Sequence, residues 1–129
     1  MKYKNIFDNN KRLIYYFLLR KRLMVKYFFT KKTQSKFLFI LSPPYCGSTL
    51  LNELLSTSKS VSCNNNLGTR EGQLLPEVKK LMFETDRWDK KTQYPWKEIK
   101  RIWMQHWDQT KAILLDKSPP NIIQVQAIK

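Results

Sequence analysis

Residues 37–49 read Phe-Leu-Phe-Ile-Leu-Ser-Pro-Pro-Tyr-Cys-Gly-Ser-Thr, and Leu-Leu-Asn-Glu-Leu-Leu follows at once. A short unbroken apolar run, a Pro-containing turn, Gly-Ser-Thr and then leucines at helical spacing describe a buried strand, a tight loop and a helix start. The junction is suited to anions. The first backbone N–H groups of a helix have no intrahelical partner, and the aligned peptide dipoles place partial positive charge there. Gly47 lets a ligand approach the backbone, and Ser48 and Thr49 add hydroxyl donors. A nucleotide or similar anionic ligand is expected at this loop.

The rest of the chain extends the pattern. Leu50, Leu51, Leu54 and Leu55 mark one face of a helix from Ser48 to about Ser56. Residues 56–70 are rich in Ser, Asn and Gly and read as a loop. Leu74, Leu75, Val78, Leu81 and Met82 fit a helix from Gly72 to about Thr85, and Asp86–Tyr94 reads as a polar connection. Pro95 opens a further helix carrying Trp96, Ile99, Ile102, Trp103 and Trp107, a stripe that reads as core packing. Ala112–Leu115 is a second buried strand, left through Asp116-Lys117-Ser118-Pro119-Pro120-Asn121, and Ile122–Lys129 begins another helix. Strands alternating with helices imply an α/β fold with a parallel sheet, whose ligands bind at the carboxyl ends of the strands. Two strands alone are too few for such a sheet.

Charge divides the chain unevenly. Its 24 Lys and Arg against 10 Asp and Glu give +14 over 129 residues. Residues 1–36 hold 11 basic residues and one acid, a net of +10, and residues 37–129 hold 13 and 9, a net of +4. The expected organisation is a basic N-terminal extension over 1–36 and a globular part over 37–129. Residues 11–29 lack Gly and Pro and read as a helix. Projecting Lys11, Arg12, Arg20, Lys21, Arg22, Lys26, Lys31 and Lys32 at 100° per residue scatters them around the axis. A solvated, loosely docked extension is therefore expected, with weak contact to anionic membranes or nucleic acid through residues 11–32 as the alternatives. No apolar run approaches the ~20 residues of a membrane span. Cys46 and Cys63 give neither a disulfide framework nor a zinc spacing, which fits a reducing, cytoplasmic setting; His106, the single histidine, leaves no His triad or metal cluster.

Templates for the loop separate possible chemistries. The NTPase pattern G-x-x-x-x-G-K-[ST] would need Gly at position 42 and Lys at 48, where this chain has Ser42 and Ser48. A phosphatase loop, Cys followed by five residues and Arg, meets Asn52. Cys46 reads better as a small turn residue than as a nucleophile.

Pro44-Tyr45-Cys46-Gly47-Ser48-Thr49-Leu50-Leu51 resembles the 5′-phosphosulfate loop of the PAPS-dependent sulfotransferase family, Pro-[Lys/Arg]-Ser-Gly-[Ser/Thr]-[Ser/Thr] after a strand. Thr69-Arg70-Glu71-Gly72-Gln73-Leu74-Leu75-Pro76 is similar to the segment of tyrosylprotein-type members in which a Glu is the base, and Leu114-Leu115-Asp116-Lys117-Ser118-Pro119 to the strand-end Lys segment near the reacting centre. The resemblance implies a P-loop-type three-layer α/β/α fold with a parallel sheet, incomplete in this chain. It implies transfer of a sulfuryl group from PAPS to a hydroxyl or amine acceptor, without a metal. Tyr45, Cys46, Gly47, Ser48, Thr49 and Leu50 would hold the donor, Lys117 would approach the bridging oxygen, and Glu71 would take the acceptor's proton.

Both catalytic candidates have plainer readings, Glu71 as a helix N-terminal carboxylate and Lys117 as a solvated loop charge. Arg70 reads equally as an anion contact or a surface residue. The chain departs from the family pattern at Tyr45, where a Lys or Arg is usual, and it shows no counterpart of the family's 3′-phosphate anchors. The expectation is thus the N-terminal part of such a domain, truncated and inactive alone. The rival readings are a degenerate P-loop nucleotide-binding protein or kinase and a non-enzymatic basic binding module.

Overall fold

The computed structural model describes residues 2–126, with side chains from residue 9 onward; the end of the helix expected over 122–129 lies outside them. Three parallel strands form one sheet: β1 (Lys36–Phe39), β2 (Val61–Cys63) and β3 (Ile113–Asp116), in the order β1-β3-β2. β3 is central, with Lys36 opposite Ile113 and Phe39 opposite Asp116 on one side, and Val61 opposite Ile113 and Cys63 opposite Leu115 on the other. The fold is α/β, with a small three-stranded parallel sheet.

β2 falls in the stretch expected to be a loop. Val-Ser-Cys is too short to show a period, and only pairing with β3 reveals it as a strand. β1 also differs from expectation. It is exposed rather than buried, because it pairs on one side alone, and Phe37 and Leu38 are 42% and 37% accessible. On α2 (Ser48–Ser56), which follows the loop as expected, Leu50, Leu51 and Leu54 are exposed too.

The helix expected from Gly72 breaks in two. A 3₁₀ turn spans Gly72–Leu74, Leu75 is extended at ψ 136°, and α3 runs from Pro76 to Met82. The cause is Pro76, whose ring excludes the preceding residue from helical geometry. α4 (Trp96–His106) starts directly after Pro95 and buries Ile99, Ile102 and Trp103, as the stripe predicts. These pack with Leu75, Val78, Met82, Tyr94, Trp107 and Leu114 into one core. Beyond β3, a 3₁₀ turn over Pro119–Ile123 takes the end of the expected polar loop and the first residues of the helix expected from Ile122, and residues 124–126 are not helical.

α1 (Lys2–Phe29) is longer than the expected helix and lies against α4. The buried Tyr16 and Leu23 point inward from it. The Tyr16 hydroxyl donates to Asn65 Oδ1 at 3.1 Å, Arg20 pairs with Glu77 at 2.8 Å and also contacts Gln105, and Lys26 pairs with Asp108 at 2.5 Å. Tyr27 donates to the Trp107 carbonyl at 2.7 Å. Tyr16, Arg20, Leu23 and Tyr27, at i, i+4, i+7 and i+11, tie one stripe of the helix to the body, with Lys26 at its edge. Among the described residues no helix is long and apolar enough to cross a membrane.

Candidate functional site

All three strands run the same way, so the loops leaving them meet at one end of the sheet. Between them lies a cleft of about 420 Å³, lined by Pro44, Tyr45, Gly47, Ser48 and Thr49 from the first loop, Thr69, Glu71 and Gln73 after β2, and Lys117 and Pro119 after β3. Arg87 and Trp88, from the connection between α3 and α4, complete it. The three segments singled out in the sequence thus converge.

Lys117 joins them. Its ammonium donates to Thr49 Oγ1 at 3.1 Å and to Glu71 Oε1 at 3.1 Å, and its side chain is 2% exposed. A lysine so enclosed is not a solvated loop charge; its carboxylate partner offsets the cost of burying it. The second Glu71 oxygen accepts from Gln73 Nε2 at 2.5 Å, and Gln73 Oε1 accepts from Arg87 at 2.8 Å. Arg87 also lies over the Phe83 ring, 3.8 Å from its centre.

The first loop is built for close approach. Gly47 precedes α2 at φ 80°, in the left-handed region, and no atom lies within 4 Å of where a Cβ would stand. No side chain caps the helix there, so its first N–H groups remain available beside Ser48 and Thr49. Tyr45 also has positive φ, 61°, and its side chain projects fully into solvent at the mouth of the cleft. Cys46 and Leu50 do not line the cleft. Leu50 faces outward on α2, and Cys46 is exposed and donates to the Pro43 carbonyl at 2.9 Å. The Ser42 hydroxyl, followed by contacts with Ser48, holds the Cys46 thiol below its ordinary value.

Beneath the cleft, Asp116 is fully buried and organises the segments bearing Glu71 and Lys117. Its Oδ1 accepts from Asn64 Nδ2 at 3.0 Å, the Gly72 N–H at 3.0 Å and the Ser118 hydroxyl at 3.2 Å, while Oδ2 accepts from Asn121 Nδ2 at 2.8 Å. Burial raises its carboxyl above the ordinary value, against the pull of these donors. With both oxygens engaged below the cleft, Asp116 is not placed as a magnesium ligand. Gly72 is required here: a Cβ would overlap Asp116 Oδ1 and the Asn64 amide and stand 2.8 Å from Trp103 Nε1. Ser118 Oγ also accepts from the Gln73 N–H at 3.0 Å, and Asn65 donates to the Glu71 carbonyl at 2.7 Å.

Arg70 turns away from the cleft to pair with Glu53 of α2 at 3.4 Å. Sequence reasoning missed Arg87, Trp88 and Gln73. The first two sit in a stretch that reads as a polar connection, and only the packing of that connection over the 3₁₀ turn brings them to the cleft. Gly72 beside Glu71 was the available sign of a tight approach. Among the described residues no group of three His, Cys, Asp or Glu could hold a metal ion. Comparison with protein-family models, with curated proteins and with solved structures finds no match to this chain.

Proposed function

We propose that this chain forms the donor-binding side of a sulfotransferase-like domain of the P-loop three-layer type, acting on PAPS and a hydroxyl or amine acceptor. The observation that carries the reading is the placement of Lys117 between Thr49 and Glu71, 3.1 Å from each. Three segments that separately resemble parts of one family site share a single cation. The donor set suits a phosphosulfate: uncapped backbone N–H groups, the Ser48 and Thr49 hydroxyls and an ammonium, in a cleft open at Gly47.

The chemistry assigns these groups distinct tasks. In sulfuryl transfer the acceptor oxygen bonds to sulfur as the bond from sulfur to the 5′-phosphate oxygen breaks. Charge then grows on that phosphate oxygen, and fixed cations and dipoles lower the barrier by stabilising it. Lys117 and the N–H groups at the start of α2 supply this stabilisation. Glu71 accepts the proton that the acceptor loses, once the acceptor enters between it and Lys117. Arg87 takes the part of the cation missing at position 45, since it enters the same cleft from another segment while the Tyr45 side chain faces solvent.

Calorimetric titration of the chain with 3′-phosphoadenosine 5′-phosphate (PAP) tests the reading. Saturable binding with Kd of about 1 mM or tighter, unchanged by EDTA and lost in Gly47→Trp, supports it. Binding of ATP that requires Mg²⁺, with none of PAP, would assign the cleft to a nucleotide kinase or NTPase instead.

A further inference from the structure

The stripe of α1 opposite its docked face carries Ile14, Phe17, Leu18, Val25, Phe28 and Phe29, all exposed. Phe28 and Phe29 are 86% and 80% accessible, well beyond a scatter of single apolar residues. The first five repeat at the spacing of one helix face and run about 21 Å along the axis. Around them lie Lys11, Lys21, Arg22 and Lys31, also exposed, and none pairs with a carboxylate among the described residues; Arg12, one turn before Tyr16, and Lys32, 4.9 Å from the Tyr27 ring, belong to the docked side. Residues 11–32 contain no acid.

Docking of α1 changes what its projection means. The scatter of basic residues around the axis includes Arg20 and Lys26, and both are used inward, against Glu77 and Asp108. With Tyr16, Leu23 and Tyr27 also turned to the body, the remaining surface is apolar along its middle, basic along the flank of Lys11 and Arg22 and at its C-terminal end, and apolar again at Leu13 and Met24 on the other flank. Lys21 is the exception within the apolar stripe, and its ammonium lies 5.5 Å from the Phe17 ring centre, at the end of a flexible stem. Such a lysine can lay its stem on apolar surface and hold its charge at headgroup level.

We propose that this outward face of α1 docks on a bilayer containing anionic phospholipid, with the helix lying in the interfacial plane. Charge complementarity selects the occupant. Two copies of this face would bring four basic residues against four with no acid to neutralise them. Nucleic acid would use the charges and leave the aromatic and aliphatic stripe in water. An anionic bilayer satisfies both, with acyl boundary for the apolar side chains and phosphate for the cations.

The test uses the full chain and vesicles of phosphatidylcholine, alone or with about 30% phosphatidylserine, sedimented at about 0.1 M salt. The expected result is association with the anionic vesicles at least about tenfold stronger than with the neutral ones. Phe17→Ser with Val25→Ser, and separately Lys21→Glu with Arg22→Glu, each weaken it about tenfold or more, whereas Leu54→Ser on the exposed face of α2 leaves it unchanged. All these side chains are exposed, so the variants should keep the parent circular dichroism and melting temperature; Phe28→Ser alone gives an independent reading with less disturbance. Equal binding to both vesicles, or binding untouched by the serine variants, overturns the proposal. So does a dimer lost in Phe17→Ser with Val25→Ser, which assigns the face to a second copy. Duplex binding that survives those serines but not the glutamates, without vesicle binding, assigns it to a polyanion.

Discussion

The Lys117 ammonium stands 3.1 Å from Glu71 Oε1, and neither side chain is more than 13% exposed. The pair spans two loops, one leaving β2 and the other leaving β3, and it closes the floor of the cleft. Removing one partner strands the other in a low-dielectric site. Lys117→Ala should therefore lower unfolding stability by roughly 2–4 kcal/mol, and the coupling with Glu71→Gln in a double-mutant cycle should exceed about 1 kcal/mol. Chemical denaturation of the four variants measures both.

Asp116→Asn turns one of two acceptor oxygens, which together take four hydrogen bonds, into an NH2 that faces either the Asn121 amide or the Asn64 amide and the Gly72 N–H. The expected loss is about 2–4 kcal/mol, because buried donors are left opposed or unpaired. Gly72→Ala should be comparably damaging through steric overlap at the same point. Denaturation curves showing either variant within 0.5 kcal/mol of the parent, roughly the scale of a surface substitution, would contradict the assigned role of Asp116.

Arg87→Ala should leave stability nearly unchanged and weaken PAP binding about tenfold, the scale of one charge-assisted hydrogen bond. Arg87→Lys should recover only part of it, since an ammonium cannot reproduce a guanidinium fork. Titrations of the two variants beside the parent decide this.

The two cysteines should react differently. Cys46 is exposed with its thiol held below the ordinary value, chiefly by Ser42, whereas burial raises that of Cys63. Iodoacetamide at neutral pH should label Cys46 first and Cys63 only after denaturation. Peptide mapping reads the order.

His106 is buried beside Tyr16, and neither ring nitrogen has a hydrogen-bond partner. Burial lowers its pKa from 6.5 to about 4. The unfolded chain then binds the proton more readily, so the neutral ring stabilises the fold above pH 6.5 and that contribution falls as pH drops from 6.5 toward 4. The loss approaches roughly 3 kcal/mol at the lower end. His106→Leu should flatten this part of a stability–pH profile.

Where local pattern dominates, the sequence was readable. The 48–56 helix, the α4 stripe and the central strand follow from local pattern and Pro95, and the loops at 43–49 and 116–121 meet because their two strands are parallel; the arrival of the Glu71 segment beside them depends on β2. What was not readable depends on tertiary pairing. Val61–Cys63 becomes a strand only beside β3, β1 is exposed because it pairs on one side, and Arg87 reaches the cleft through a fold of the connecting loop. The break before α3 was visible in Pro76, but the apolar spacing around it masked the signal. α1 shows the same limit: its projection treats all basic residues alike, and docking distinguishes those turned inward from those left outside.

Loop 43–49, Glu71 and Lys117 are proposed to form one site for the 5′ end of a sulfuryl-donor nucleotide, and amide chemical-shift mapping with PAP in EDTA probes that site residue by residue. The expected result is saturable shifts concentrated at Gly47, Ser48, Thr49, Glu71 and Lys117, lost in Lys117→Ala that remains folded by the same spectrum. Shifts absent at about 1 mM PAP, or spread over α1 with the loop unmoved, would contradict it.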